Sequence, residues 1–357
     1  MCDLKFKFAS TLSLLALSLV STSHLAWGED MSLKNWGLVP SLSKSDIQAQ
    51  EAWRIQEGNR KIVVAIIDTG MDSSHHALKA NLWHDPKSPD KEAFGWDFVT
   101  NTPNPVDQHG HGTHIAGIIG AEASPVTGVS GVAHRVSIMS VKYYSESNSG
   151  AVNLDNTVRA IHYALDHGAR IINYSGGGPE FSEKERLAIK RAESMGVLFV
   201  AAAGNEHQNI DQQENKYYPS SYHLSNIISV AATDIRNNLL LSSNWGAKSV
   251  DVAAPGDNIF STLPKDSSKR DRFGYMSGTS QATAFVSGIA ALLLAQDPSL
   301  TPQDIRKIIM GSVDPLPQLR GKVESNGRIN AYSALLALKS RNGRPAPQTV
   351  QNLVAHF

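Results

Sequence analysis

The most informative part of this chain for its architecture is Ile62-Val63-Val64-Ala65-Ile66-Ile67-Asp68-Thr69-Gly70. Its first six residues are apolar, and all of them except Ala65 are β-branched. A continuous run of this kind is typical of a strand that is buried on both faces, as in a parallel sheet. Asp68 follows at once, and a carboxylate next to so apolar a strand needs a partner.

Further runs of the same character follow along the chain, and helical patterns separate several of them. The predicted strands are residues 62–67, 136–141, 170–174, 197–203 and 227–232, with 250–254 as a candidate sixth. Helices are predicted over residues 111–119, 152–167 and 182–194, and a glycine follows each of the last two, as helix C-termini favour. The alternation predicts an α/β fold with a doubly wound, mostly parallel sheet and helices on both faces.

The last part of the chain is predicted to be mostly helical. Residues 281–296 are apolar on nearly every side, which predicts a helix buried in the core. Thr301-Pro302 has the chemistry of a helix start, and residues 330–338 form the last predicted helix.

Composition indicates an ordinary globular protein. The chain has 357 residues, enough for one large domain or two smaller ones, and its 33 Lys and Arg balance 33 Asp and Glu. A zero balance gives no electrostatic reason to expect nucleic acid or an anionic membrane as a partner. We expect a monomer.

Residues 1–28 are predicted to be a signal peptide. Lys5 and Lys7 precede a short apolar run, and Ala26-Trp27-Gly28 offers small residues for cleavage before Glu29. A retained N-terminal anchor is the alternative. We therefore expect an exported protein, secreted or periplasmic, with no stable membrane insertion. Its domain would be residues 29–340 and its polar tail residues 341–357.

Cys2, the only cysteine, lies in the predicted signal peptide, so disulfides are not expected.

Segments that combine small residues with polar side chains lie at the ends of three of the predicted strands. They are Asp68-Thr69-Gly70, Ser175-Gly176-Gly177 and Ala203-Gly204-Asn205. Because ligands of α/β sheets bind at the carboxyl ends of strands, these residues are site candidates. Taken singly, each also has a structural interpretation, as a helix cap, a turn or a left-handed residue.

Three histidines stand close together in Asp107-Gln108-His109-Gly110-His111-Gly112-Thr113-His114. A metal site is one interpretation, but no further carboxylate or histidine stands at zinc-ligand spacing. His111, at a predicted helix start between glycines, is better placed as a base. His109 and His114 are interpreted as local hydrogen-bonding groups.

Gly278-Thr279-Ser280 precedes the apolar helix. A serine in a tight turn at a helix N-terminus has the backbone a nucleophile needs, because the free N–H groups there favour an oxyanion. A plain helix N-cap is the alternative.

Five of these segments together resemble the subtilisin-like serine peptidases, in that family's order of Asp, His and Ser. Residues 65–75 resemble the aspartate motif, residues 111–117 the histidine motif and residues 278–282 the serine motif. Residues 175–177 and 202–205 resemble the segments that line the primary specificity pocket. The resemblance covers about residues 36 to 338.

The resemblance implies specific roles. Asp68, His111 and Ser280 would be the catalytic triad of a serine endopeptidase acting on polypeptides, and Asn205 would be an oxyanion-hole donor. The implied substrate-binding residues are Ser175, Gly176, Gly177, Ala202 and Gly204, with Tyr217 expected to shorten the pocket and favour small P1 residues. No cofactor is required for this chemistry. The alternatives are a catalytically inactive binding module of the same fold, and a metal-binding or hydrolytic α/β protein of another kind.

The chain departs from the family pattern at several positions. Gln281, Ala284 and Phe285 replace the usual Met, Pro and His after the nucleophile. Ala77 replaces a usual acidic calcium ligand, so a calcium ion is not favoured there, although a weaker site elsewhere is left open. Few residues separate the predicted signal peptide from the start of the resemblance. This leads to the hypothesis that the enzyme folds without a built-in pro-domain, or with help in trans.

Overall fold

The predicted strands form one sheet in the computed structural model, which describes residues 33–85 and 93–341. The predicted signal peptide and most of the predicted tail lie outside these residues. The strands in chain order are β1 (Gly58–Asp68), β2 (Gly95–Asp97), β3 (Arg135–Lys142), β4 (Ile171–Tyr174), β5 (Leu198–Ala202), β6 (Ile227–Thr233), β7 (Val252–Pro255), β8 (Ile259–Leu263), β9 (Arg272–Met276), β10 (Asp314–Pro315) and β11 (Gly327–Arg328).

Nine of these strands pair in the order β10-β11-β7-β6-β5-β4-β1-β3-β2, and all but β10 run parallel to their neighbours. The predicted α/β fold is therefore confirmed. β1 lies between β3 and β4, so the direction of winding reverses at β1. The crevice at such a switch point is where α/β sheets bind their ligands.

Helices cover both faces of the sheet. They are α1 (Ala49–Trp53), α2 (His76–Lys79), α3 (His111–Gly120), α4 (Gly150–Asp166), α5 (Glu183–Ser194), α6 (Thr279–Gln296), α7 (Pro302–Gly311) and α8 (Ala331–Arg341). The six predicted helices are all present. Helix α8 extends to Arg341, three residues beyond the predicted end at residue 338.

Helix α6 is the centre of the molecule. It packs across β1, β4, β5, β6 and β7 and against α3 and α8, and every residue from Thr279 to Leu294 is buried. Helices α4 and α5 pack against each other and cover β1, β3 and β5 with an apolar cluster. The all-round apolar sequence of α6 thus corresponds to a core helix.

Strands β8 and β9 were missed by sequence patterning. They form an antiparallel hairpin outside the main sheet. β8 packs against α3, and the Ser261 and Thr262 hydroxyls donate to the His114 and Thr113 carbonyl oxygens at 2.8 and 2.7 Å. The side chains of β9 are partly exposed, so its sequence lacks the long apolar run that predicts a buried strand.

Candidate active site

The carboxyl ends of β1 and β4 lie side by side, with Ile67 opposite Tyr174. Asp68 therefore projects from the same sheet edge as Ser175, which follows β4. The Asp68 carboxyl is 4% exposed, and its Oδ1 lies 2.7 Å from His111 Nδ1. This hydrogen bond supplies the partner that a buried carboxylate after an apolar strand requires.

His111 is the first residue of α3. Gly112 lets the helix approach the loop after β1, since a Cβ at this position would lie 2.1 Å from the Gly70 carbonyl oxygen. Because Nδ1 of His111 is bonded to Asp68, Nε2 is the nitrogen left to exchange a proton.

Asp107 holds the start of α3, a role that sequence reasoning did not assign. Its Oδ1 accepts hydrogen bonds from the backbone N–H groups of His109 and Gly110 at 3.0 and 2.8 Å, and its Oδ2 accepts from that of Thr113 at 2.9 Å. It also accepts from the Thr69 hydroxyl at 2.9 Å, so it ties α3 to the end of β1. The sequence contains a signal for this role, because Asp107 stands shortly before the predicted helix start at His111.

Electrostatics favour the charged form of His111. Burial lowers its pKa, but the charge and hydrogen bond of Asp68, with a further contribution from Asp107, outweigh burial and raise it above the usual value. His114, on the same helix, behaves oppositely. Burial lowers its pKa to about 4, and its Nε2 lies 3.2 Å from the Gly274 carbonyl oxygen.

Ser280 is in the first turn of α6 and is buried. Its hydroxyl donates to the Ser175 carbonyl oxygen at 3.1 Å, and the Ser175 hydroxyl donates back to the Ser280 carbonyl oxygen at 3.3 Å. The serine is thus held against the segment after β4, at the strand end next to Asp68. The sheet edge thus holds the Asp68–His111 pair at one strand end and Ser280, through Ser175, at the neighbouring strand end.

Asn205 is exposed beside the start of α6. Its Oδ1 accepts hydrogen bonds from the Thr279 N–H at 2.9 Å and from the Thr279 hydroxyl at 3.2 Å. These two bonds fix the orientation of the Asn205 amide, and its nitrogen is the group that can donate to a ligand. The Gly204 N–H in turn donates to the Thr279 hydroxyl at 3.3 Å, which fixes the segment after β5 against α6.

Tyr217 lies between the two predicted pocket segments. A Cβ at Gly177 would lie 2.4 Å from its Cε1, and a Cβ at Gly204 would lie 2.9 Å from its Cε2. The ring therefore occupies the space between these glycines. The carbonyl oxygen of Ala202 accepts a hydrogen bond from the Ser220 hydroxyl at 2.9 Å, and Gly176 lies against the Tyr143 hydroxyl.

The residues around Ala77, where the family pattern would have an acidic calcium ligand, do not fit the ion. Ala77 has no oxygen in its side chain, and its carbonyl oxygen accepts the Glu122 N–H at 2.8 Å. The Glu122 carboxylate, the only one in the facing loop, lies 3.7 Å from the Arg60 guanidinium. Calcium takes six or more oxygens, and these residues do not supply them.

Comparison with known proteins agrees with this geometry. The model of the subtilase family matches residues 59–341. Thermitase of Thermoactinomyces vulgaris is 38% identical over 289 residues, which are 81% of this chain and 93% of thermitase. The major intracellular serine protease of Bacillus subtilis is 36% identical over 247 residues, 69% of this chain and 72% of the relative.

A solved structure of a protease from Pseudoalteromonas arctica superposes with a TM-score of 0.68 at 25% identity, covering 82% of this chain and 94% of that one. The family model covers most of the chain, and the matched relatives are named serine proteases. The chain belongs to the subtilase family of serine endopeptidases.

Proposed function

We propose that this chain is an exported endopeptidase that hydrolyses peptide bonds through an acyl-enzyme, with Asp68, His111 and Ser280 as its triad. The observation that carries the proposal is the 2.7 Å bond between His111 Nδ1 and Asp68 at the sheet edge where Ser280 lies. A serine hydroxyl is a weak nucleophile at its own pKa, so it needs such an oriented base.

The first step transfers a proton and forms a bond. The Ser280 hydroxyl turns from the Ser175 carbonyl towards His111 Nε2, which takes its proton as Oγ attacks the peptide carbonyl carbon. Asp68 holds the tautomer and stabilises the imidazolium. The Asn205 amide nitrogen and the Ser280 N–H donate to the oxyanion that forms.

The remaining steps release the two products. His111 passes its proton to the leaving amine as the C–N bond breaks, which leaves an ester at Ser280. Water then loses a proton to His111, attacks the ester and releases the acid, and the proton returns to Ser280. In this account the acyl part of the substrate pairs as an added strand with Ser175 to Gly177.

The position of Tyr217 supports a preference for small P1 side chains. Its ring fills the space between Gly177 and Gly204, the residues proposed to flank the P1 side chain. Tyr217→Gly would empty that space. We expect this variant to gain activity on substrates with Phe at P1 and to lose its preference for Ala.

A hydrolysis assay tests the proposed function. Wild-type protein should cleave casein and short peptides, should lose activity with a serine-directed sulfonyl fluoride, and should retain activity with a chelator. Ser280→Ala is the matched control. Hydrolysis that survives this substitution, or that a chelator abolishes while the sulfonyl fluoride does not, would contradict the proposal, and a protein that cleaves nothing would favour the inactive binding module.

Export is part of the proposal. It rests on the sequence of residues 1–28. Within residues 33–85 and 93–341, no helix has the length and apolar character to cross a bilayer. The relatives include an intracellular protease, so family membership does not decide the compartment. N-terminal sequencing of the protein from the cell exterior or periplasm should begin at Glu29, and recovery of the full-length chain from the cytosol would contradict export.

A further inference from the structure

A cavity of about 300 Å³ lies beside the proposed substrate segment. Gly177 and Gly178 form one side of it, and residues of the β3–α4 loop and of α4, including Tyr143 and Leu154, form another. Glu185 of α5 also lines it. This volume is at the lower end of the range for ligand pockets and is ample for one long side chain.

Glu185 is a buried acid, 2% exposed. Its Oε2 accepts a hydrogen bond from the Tyr222 hydroxyl at 2.7 Å. In the part of the chain that the structure describes, no cation lies within ion-pair distance of it, and the neighbouring Arg186 pairs instead with Glu183 at 2.6 Å. Burial raises the pKa of Glu185 to about 7, even though the Tyr222 hydrogen bond acts to lower it.

Helix capping does not explain this carboxyl. Ser182 and Glu185 have the spacing of a capping box, in which the glutamate would accept the serine backbone N–H. Here the Ser182 hydroxyl does accept the Glu185 N–H at 3.3 Å, but the Ser182 N–H donates to the Tyr222 hydroxyl at 3.2 Å. The carboxyl is therefore turned inward, where a buried acid without a cation costs free energy.

The rest of the lining suits a long cationic side chain. Tyr143, Tyr144, Tyr174 and Tyr218 contribute aromatic rings to the cavity. Aromatic faces pack against the alkyl stems of lysine and arginine and attract their charged ends. Such a ligand would supply the counter-charge that Glu185 lacks.

In the proposed binding mode, the cavity lies beside the segment that pairs with the acyl part of the substrate. The Ser175 carbonyl contacts the nucleophile, and the chain then leads through Gly176 to Gly177 and Gly178 at the cavity. A substrate paired along this segment would bring a residue before P1 to the cavity mouth.

We propose that this cavity is a subsite for a basic side chain, Lys or Arg, before P1 in the substrate, with Glu185 as its anionic partner. The proposal rests on the proposed function, because the ligand is part of the peptide that Ser280 would attack.

The test compares kcat/KM for peptides that carry Ala at P1 and either Lys or the uncharged norleucine at P2, P3 or P4 in turn. Wild type should prefer Lys at one of these positions. Glu185→Gln and Glu185→Leu should each lower the Lys to norleucine ratio by roughly tenfold or more, since hydrogen bonds to charged groups carry that much. Glu183→Gln, an exposed neighbour on α5, should leave the ratio unchanged.

The Lys to norleucine ratio distinguishes a loss of recognition from a loss of folding, because misfolding lowers kcat/KM for both peptides together. A wild type that cleaves the peptides but prefers norleucine at every position, or a ratio that Glu185→Gln and Glu185→Leu leave unchanged, would overturn the subsite. Hydrolysis of none of the peptides, even in the wild type, would instead reject the endopeptidase function.

Discussion

His111 sets the pH dependence at the scale of single residues. Only neutral imidazole can act as the base, and Asp68 raises the pKa of His111 above 6.5. We expect kcat/KM to rise with pH through a pKa above that value. His114, with a pKa of about 4, is neutral throughout this range and cannot be the source of the transition.

Asp68→Asn tests the cause of this shift. Without the Asp68 charge, burial should lower the pKa of His111, so the acid limb of the pH profile should move to lower pH. Loss of the correct tautomer should also reduce kcat by roughly 10⁴-fold. A pH–rate profile measures both effects, and an acid limb that stays in place would show that Asp68 does not set the pKa.

Asn205→Ala should reduce kcat with little change in KM, because the donor is proposed to act on the oxyanion rather than on bound substrate. The expected loss is roughly 10²–10³-fold, the figure known for the oxyanion-hole asparagine of subtilisin itself. The Ser280 N–H should retain part of the stabilisation. Steady-state kinetics on one peptide checks this, and an effect confined to KM would assign Asn205 to substrate binding.

At the scale of elements, Phe285 shows how α6 is packed. The ring is fully buried and faces Gly37, where a Cβ would lie 2.7 Å from its Cζ. The small residue at position 37 therefore accommodates the phenylalanine that departs from the family pattern. This packing lies away from the triad, so Phe285 is expected to affect stability more than chemistry.

Phe285→Ala should lower the free energy of unfolding by about 3–5 kcal/mol, because it leaves a cavity against a fully buried helix. Urea denaturation measures the change, and Phe285→Leu should lose less. A cost below about 1 kcal/mol would show that the site collapses around the smaller side chain.

A strand or helix could be predicted from sequence when the pattern that specifies it lies within its own residues. The long apolar runs of β1, β3 and β6 indicated buried strands directly. β10 and β11 have two residues each, and they belong to the sheet only because their partners bring them there. The same holds at the site: motif order predicted His111 and Ser280, but the contact of Tyr217 with both Gly177 and Gly204 needs the assembled fold.

At the scale of the whole molecule, a buried arginine joins distant parts of the chain. Arg328 is 1% exposed, and it donates to the Lys44 carbonyl oxygen at 2.8 Å, to Asn237 and to Asp314. Arginine is mostly exposed in folded proteins, so the sequence alone could not predict that Arg328 lies in the core.

Stability should not depend on calcium at the loop around Ala77. Ala77 and the Arg60-paired Glu122 do not form a ligand set there. We expect a chelator to shift Tm by less than about 2 °C, or less than ~1 kcal/mol for a protein of this size. Thermal unfolding with and without chelator, followed by calcium addition, measures this, and a large reversible loss would reveal a calcium site elsewhere.

The proposed chemistry depends above all on Ser280 being the nucleophile. Reaction of the wild-type protein with a fluorophosphonate, followed by mass spectrometry of its peptides, tests this most directly. We predict one adduct per chain, on Ser280, formed slowly in His111→Ala and not at all in Ser280→Ala. An unlabelled wild type, or an adduct that persists on another residue in Ser280→Ala, would contradict the account.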